Sequence, residues 1–208
     1  MPTLKPSGDT MDAGTTPRGL ASLTDPLPDG PIAQKQMSEP FFAIWDLLEL
    51  VTDPEIPVVN LREMGILRAV RPTADGVEVV ITPTYSGCPA MSQMHDDVTN
   101  ALSGARVKAR VLTQLAPAWS TDWMTTEARD KLRAYGIAPP HASHCGTSNA
   151  KVIAFATRKG AASAEPAVVC PQCGSHNTTE TSHFGSTACK ALYRCLDCLE
   201  PFDYFKPY

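Results

Sequence analysis

The chain has 208 residues, the length of one or two ordinary domains. Hydrophobic residues make up 43% of it, enough for a buried core, and the net charge of −4 argues against a general binder of nucleic acid or of a membrane surface. No run of about 18 apolar residues occurs, so we expect no membrane span. The first residues lack an apolar segment and the seven cysteines suit a reducing cytosol, so we expect a cytoplasmic protein without a secretory signal.

Residues 1–37 are rich in Pro, Gly, Ser, Thr and Asp and lack hydrophobic periodicity. Such a segment buries too little apolar surface to offset the entropy lost on ordering, so we predict a disordered tail. Order is expected from Ser38, which can cap a helix whose apolar stripe includes Phe41, Ile44 and Leu48.

Two strands are predicted next. Residues 65–70 and 76–82 alternate between apolar and other side chains, and the turn residues between them, 71–76, indicate a hairpin. A third strand is predicted at 106–112 and a fourth at 151–156.

Helices are predicted between these strands. One begins at Pro89 and ends at Gly104, and another begins at Thr125 or Thr126 and ends at Gly136. The order of elements indicates an α+β domain over residues 38–156, with a small mixed or antiparallel sheet and helices on one face.

The last part of the chain carries two CxxC pairs, Cys170 with Cys173 and Cys195 with Cys198. Two intervening residues let a tight turn aim both sulfurs at one ion, and two such turns complete a tetrahedron around Zn²⁺. We therefore predict a zinc ribbon at 167–208, joined by a linker at 157–166. Buried or disulfide-bonded cysteines are the alternative that this spacing disfavours.

A single cysteine, Cys88, is expected at or next to the N-cap of the second helix. The helix dipole and free backbone N–H groups would lower its pKa and favour the thiolate, which binds soft metals and attacks electrophiles. Thr82, Thr84 and Ser86 add hydroxyl groups nearby. A buried cysteine that caps the helix is the alternative.

Asp53 and Glu55 form a second candidate constellation. Paired carboxylates can exchange protons or bind a hard or ferrous ion. In the alternative interpretation they only cap backbone N–H groups of a loop. His95 could serve Cys88 as a second ligand or as the base of a Cys–His enzyme, but it lies seven positions away and fits a surface residue better. His141 and His144 beside Cys145 are interpreted as a polar loop.

Two resemblances follow from longer stretches. Residues 53–57, 64–67 and 82–89 resemble the small α/β domain of the iron–sulfur cluster assembly factors related to SufT. Residues 117–124, 135–140, 184–195 and 200–206 are similar to the PaaD family, also called PaaJ, of the phenylacetyl-CoA epoxygenase system. This resemblance covers all of the chain except the N-terminal tail.

The resemblance implies a non-enzymatic accessory or maturation factor in phenylacetate catabolism. Its expected partners are the di-iron oxygenase and the reductase that carries flavin and an iron–sulfur cluster. Cys88 would then hold iron or a cluster transiently, shared across a homodimer because one cysteine cannot ligate a cluster alone. Asp53 and Glu55 would be its acidic motif, and the four ribbon cysteines would be zinc ligands. A structural subunit that only stabilises the oxygenase complex is the alternative.

Four further ribbon residues have expected roles. Phe202, Tyr204 and Phe205 are candidate anchors for a partner, or else they cover the core of the ribbon. Cys189 belongs to neither CxxC pair, so we interpret it as an additional ligand, a redox thiol or a buried cysteine.

Overall fold

The computed structural model describes residues 41–141 and 167–208. The helices are α1 (Phe42–Leu48), α2 (Met91–Gly104) and α3 (Thr126–Ala134), with a 3₁₀ turn at Thr121–Trp123. The strands are β1 (Leu67–Thr73), β2 (Gly76–Ile81), β3 (Ala109–Thr113), β4 (Ile137–Ala138), β5 (Thr178–Ser182), β6 (Lys190–Cys195) and β7 (Pro201–Phe205). The predicted tail at 1–37, the helix cap at Ser38, the strand at 151–156 and the linker at 157–166 lie outside the described residues.

The first sheet has the order β1-β2-β3 and is mixed, as predicted. β1 and β2 form the predicted antiparallel hairpin, whereas β3 runs parallel to β2 after the chain has crossed over through α2. Alternation along β2 turns Val77, Val79 and Ile81 into the hydrophobic core.

Two predicted strand boundaries were wrong by three residues. β1 continues through Pro72 to Thr73, where a turn was predicted. Pro72 is tolerated because β1 is an edge strand, in which the N–H that proline lacks is not needed for pairing with a second neighbour. β3 begins at Ala109 rather than at Arg106, because Arg106 has a left-handed backbone with φ of 59° and completes the turn after α2.

The helices follow the predicted stripes. α1 buries Trp45 and Leu48, and α2 buries its own stripe against α1 and β3. α3 begins after Thr125, whose hydroxyl oxygen accepts a hydrogen bond from the backbone N–H of Ala128 (3.1 Å).

The second sheet joins the ribbon to the preceding part of the chain. Its order is β4-β7-β6-β5, with antiparallel pairing throughout β5, β6 and β7. β4 was not predicted; it pairs parallel to β7, with Ile137 opposite Asp203 and Ala138 opposite Tyr204. Two residues are too few for a strand pattern to be detected in the sequence.

Buried apolar side chains form two clusters. The larger one is built mainly from residues 45–137, and it also contains Cys189 and Phe205 of the ribbon. The smaller one belongs to the ribbon but includes Ala138 of β4. Each cluster therefore takes residues from both predicted domains.

Trp119 ties the two parts together. Its indole N–H donates a hydrogen bond to the backbone oxygen of Met64 (3.0 Å). Its ring lies 6.1 Å from that of Phe205 and 6.4 Å from that of Tyr208, in tilted and edge-on arrangements. Through Trp119, the last residues of the chain are packed against the loop that precedes β1.

The close approach of Gly65 to Trp123 gives a test of how the loop before β1 packs against the 3₁₀ turn. Gly65 has φ of 71°, and an added Cβ would lie 2.6 Å from the Cβ of Trp123. We expect Gly65→Ala to lower the free energy of unfolding by about 2–5 kcal/mol, from backbone strain plus overpacking. Chemical denaturation measures the change.

Gly104→Ala is the matched control, since an added Cβ at this last residue of α2 meets nothing within 4 Å. It should leave stability unchanged or raise it by up to about 1 kcal/mol. Equal stability of the two variants would contradict the packing described for Gly65.

Candidate functional site

The four predicted zinc ligands come together in the ribbon. Cys170 and Cys173 flank the turn before β5, Cys195 ends β6, and Cys198 follows it. Their sulfur atoms all lie within 4.8 Å of one another. Among the residues described, these four cysteines are the group of three or more His, Cys, Asp or Glu side chains that could hold a metal ion.

The spacing of the sulfurs fits a tetrahedral ion. Cys170 and Cys198 are 3.7 Å apart at Sγ, and Cys173 and Cys195 are 3.6 Å apart. A tetrahedron with metal–sulfur bonds of about 2.3 Å needs sulfurs about 3.8 Å apart. The backbone N–H of Cys198 donates to Cys195 Sγ (3.4 Å) and is the main cause that lowers the pKa of the Cys195 thiol, whereas the neighbouring sulfurs raise the pKa of Cys198. The distances between the four sulfurs therefore fit zinc and leave no ligand position open.

The turn after each CxxC pair uses the left-handed backbone. Gly174 has φ of 75°, and its N–H donates to the backbone oxygen of Cys170 (2.9 Å). Leu199 occupies the corresponding position after Cys198 with φ of 67°, so the second turn is made without a glycine.

A second site lies at the junction between the ribbon and the assembly-type part of the chain. A small cavity lies there, with a volume of about 20 Å³, and we call it the junction cavity. That is enough for one water molecule or an ion of similar size. Its lining comes from both sides of the junction: Asp53, Glu55, Ile56, Thr84, Tyr85, Cys88, Pro89, Ala90, Met94, Thr187, Cys189 and Phe205.

Cys88 is half-buried in the wall of this cavity. The prediction of a lowered pKa was wrong. α2 begins at Met91 with Ala90 as its N-cap, so Cys88 precedes the cap by two residues. Burial is the main cause that raises the pKa of its thiol, and the negative charges of Cys189 and Asp53 raise it further, against a hydrogen bond from the backbone of Ala90.

The acidic pair also reaches the junction cavity. Asp53 is 5% exposed, and its Oδ1 accepts hydrogen bonds from the backbone N–H groups of Glu55 (2.7 Å) and Ile56 (3.1 Å). Burial raises the pKa of this carboxyl despite those bonds. The contacts of Asp53 therefore agree with the interpretation in which it caps backbone N–H groups. Asp53 and the exposed Glu55 are also among the residues that line the cavity beside Cys88.

The three predicted hydroxyl residues separate. Thr84 lines the junction cavity. Thr82 is buried outside it, and its hydroxyl has no hydrogen-bond partner within the described part of the chain. Ser86 is exposed and lines a different groove, beside Tyr85 and Trp119.

Cys189 faces the junction cavity from the ribbon. It lies directly before β6, is 8% exposed, and its Sγ contacts the Thr187 hydroxyl oxygen at 3.0 Å. The N–H of Lys206 donates to its backbone oxygen (2.9 Å), which fixes Cys189 against the end of β7. Burial raises the pKa of its thiol.

The remaining candidates lie elsewhere. His95 is half-exposed on α2, 3.6 Å from the carboxylate of Asp96, and it does not line the junction cavity. His141 is described, whereas His144 and Cys145 lie outside the described residues.

The three candidate anchor residues are buried. Phe202 and Tyr204 belong to the core of the ribbon, and Phe205 belongs to the larger cluster beside Trp119. Phe202 and Tyr204 therefore agree with the alternative in which they cover the core of the ribbon, whereas Phe205 packs against the first part of the chain. None of the three rings is exposed for a partner.

Two residues near the cavity were not predicted from the sequence. Thr187 contacts Cys189, and Tyr208 stacks on Tyr85 of the Cys88 loop with ring centres 6.2 Å apart. No motif marks either residue, because their roles arise from packing between distant parts of the chain.

Known proteins are similar to most of this chain. A protein of Escherichia coli K12 that is named as a subunit of 1,2-phenylacetyl-CoA epoxidase is 45% identical over 176 residues, which cover 84% of this chain and 95% of that protein. The chain belongs to the PaaD family. The family model described as the PaaD zinc beta ribbon domain matches residues 155–206, and the one described as an iron–sulfur cluster assembly protein matches residues 42–112.

Other similar proteins correspond to the first part of the chain. A Porphyromonas gingivalis protein named Fe-S protein maturation auxiliary factor is 36% identical over 85 residues, covering 39% of this chain and 80% of that protein. A crystal structure of a DUF59 domain from Bacillus anthracis aligns with 28% identity and a TM-score of 0.40, covering 43% of this chain and 88% of that one. Within 41–141 and 167–208, no helix has the length and apolar character to cross a membrane.

The ribbon geometry predicts which cysteines hold its metal. We expect about one zinc ion per chain, and we expect Cys170→Ser to lower that content strongly, because three thiolates do not complete the tetrahedron. Elemental analysis of the purified proteins measures the metal content.

Cys189→Ser is the matched control on the same ribbon and should leave the zinc content at about one per chain. A loss of zinc equal to that of Cys170→Ser would contradict the assignment of the four ligands.

Proposed function

We propose that this chain is an accessory maturation factor for a phenylacetyl-CoA epoxidase and is not itself the catalyst. Membership of the PaaD family supports the link to the epoxidase, because a relative similar over most of the chain is named as one of its subunits. The match of residues 42–112 to an iron–sulfur cluster assembly family supports the maturation role. The expected clients are the di-iron oxygenase and the reductase with its flavin and iron–sulfur cluster.

The observation that carries the proposal is the position of Cys88. The thiol lies in a small cavity that is also lined by Asp53 and Glu55. Sulfur and carboxylate oxygen are both ligands of ferrous iron, so this is the part of the chain suited to hold iron or a cluster as cargo. The ribbon ion would be structural, since four thiolates enclose it.

The same geometry argues against a Cys-dependent enzyme. A nucleophilic cysteine needs a base that takes its proton and a group that orients that base. His95 does not line the cavity, and the raised pKa of Cys88 favours the thiol over the nucleophilic thiolate near neutral pH.

A reducing compartment suits this role. The six described cysteines are free of disulfide bonds, and both the cargo site and the ribbon need reduced sulfur. We therefore propose that the chain acts in the cytoplasm.

Anaerobic reconstitution with iron and sulfide tests the proposal on the purified chain. We expect the wild-type chain to acquire iron with a thiolate-to-iron chromophore, and we expect Cys88→Ser to lose most of both. Absorption spectra and iron analysis measure the outcome, with zinc content confirming that the ribbon is intact.

Ser86→Ala is the control, since its hydroxyl lies in the same loop but outside the cavity. Unchanged iron in Cys88→Ser would exclude transfer through this thiol. Such a result would favour a structural subunit that only stabilises the oxygenase complex.

A further inference from the structure

We propose that Cys88 and Cys189 form one two-thiol site that binds a single divalent transition-metal ion, with iron(II) as its natural cargo. The inference rests on the proposed function and deepens it. It assigns to the ribbon a chemical role in the cargo site in addition to its own metal centre.

The first support is the shared cavity. Cys88 enters it from the loop before α2, and Cys189 enters it from the residue before β6. The cavity holds about one water-sized particle, so a single ion fits, whereas a cluster of several iron and sulfur atoms would need the walls to move apart.

The second support is that both thiols stand on fixed backbone. The N–H of Cys88 donates to the backbone oxygen of Tyr85 (3.2 Å), within a tight turn. Cys189 is held by the bond from Lys206 to its backbone oxygen and by the contact of its sulfur with Thr187. Thiols on a fixed backbone lose less conformational entropy on binding an ion than thiols on a mobile loop.

The third support is that Cys189 has no part in the ribbon centre. That centre already has four sulfurs, and Cys195 is one of them. Cys189 lies six positions before Cys195 along β6, which at about 3.3 Å per residue puts them about 20 Å apart. The strand therefore carries one thiol to each of two separate places.

The site supplies only part of a coordination sphere. Asp53 and Glu55 also line the cavity. Among the described residues, neither carboxylate lies with both sulfurs in a set of three ligand atoms that are all within 4.8 Å of one another, so the proposed ion takes only the two sulfurs as ligands. Binding of M²⁺ by two thiols forms two metal–sulfur bonds and releases two protons to solvent. The remaining positions are filled by water or by ligands of the receiving protein, which lets the ion leave.

Cobalt(II) is the probe, because its bonds to thiolates give a near-ultraviolet charge-transfer band whose intensity grows with the number of sulfurs. The full chain, with zinc in its ribbon, is titrated anaerobically with cobalt(II), and zinc retention is measured afterwards. We expect one cobalt per chain beyond the zinc, with a band intensity for two thiolates. Cys88→Ser and Cys189→Ser should each at least halve the band and weaken binding by about tenfold or more, since even the loss of an outer partner of a ligand costs that much.

Ser186→Ala is the control on the ribbon side, because its hydroxyl is directed to Asp203 (3.4 Å) rather than into the cavity. A titration of Cys189→Ser that matches the wild type, while Cys88→Ser loses cobalt, would overturn the two-thiol site and leave the role of Cys88 standing. Loss in neither variant would overturn both.

A second measurement on the wild-type chain needs no variant, in case a change at the buried Cys189 prevents folding. X-ray absorption at the cobalt edge counts the sulfur neighbours of the added cobalt(II) while zinc stays in the ribbon. We expect two sulfur neighbours for each added cobalt ion. One sulfur neighbour or none would contradict the proposal.

Discussion

The packing of Trp119 is the constraint on which the arrangement of the site depends. Its indole N–H is satisfied by Met64 in the loop before β1, and its ring lies against Phe205 at the end of β7. Removing a buried ring of this size costs about 3–5 kcal/mol in other proteins, a large share of the stability of a small domain. Because this contact fixes the end of the ribbon, it also places Cys189 beside the loop that carries Cys88.

The ribbon has two distinct ends in this arrangement. At one end of β6, Cys195 and three other cysteines enclose a metal position with no open ligand site. At the other end, Cys189 faces a cavity that it shares with Cys88 and the acidic pair. A rigid strand between a structural centre and the proposed cargo site would explain why an assembly-type domain carries a ribbon.

Local patterns predicted much of the fold and of the ribbon site. The hairpin of β1 and β2, the start of α3 at Thr125 or Thr126 and the two CxxC pairs each depend on neighbours in sequence, so the sequence alone was sufficient for them. What depends on distant packing was not predicted. β4 is too short to show a pattern, and the meeting of Cys88 with Cys189 is decided by tertiary contacts. The pKa of Cys88 was predicted wrongly because burial and nearby negative charge outweigh the helix terminus.

The central claim is that Cys88 serves the metal centres of the epoxidase. It is tested most directly by the iron content of the oxygenase and reductase subunits purified from cells that produce them with the wild-type chain, with the Cys88→Ser variant or without the chain. The account predicts that iron in at least one subunit falls without the chain and falls equally with Cys88→Ser. Full iron content in both subunits under all three conditions would contradict it.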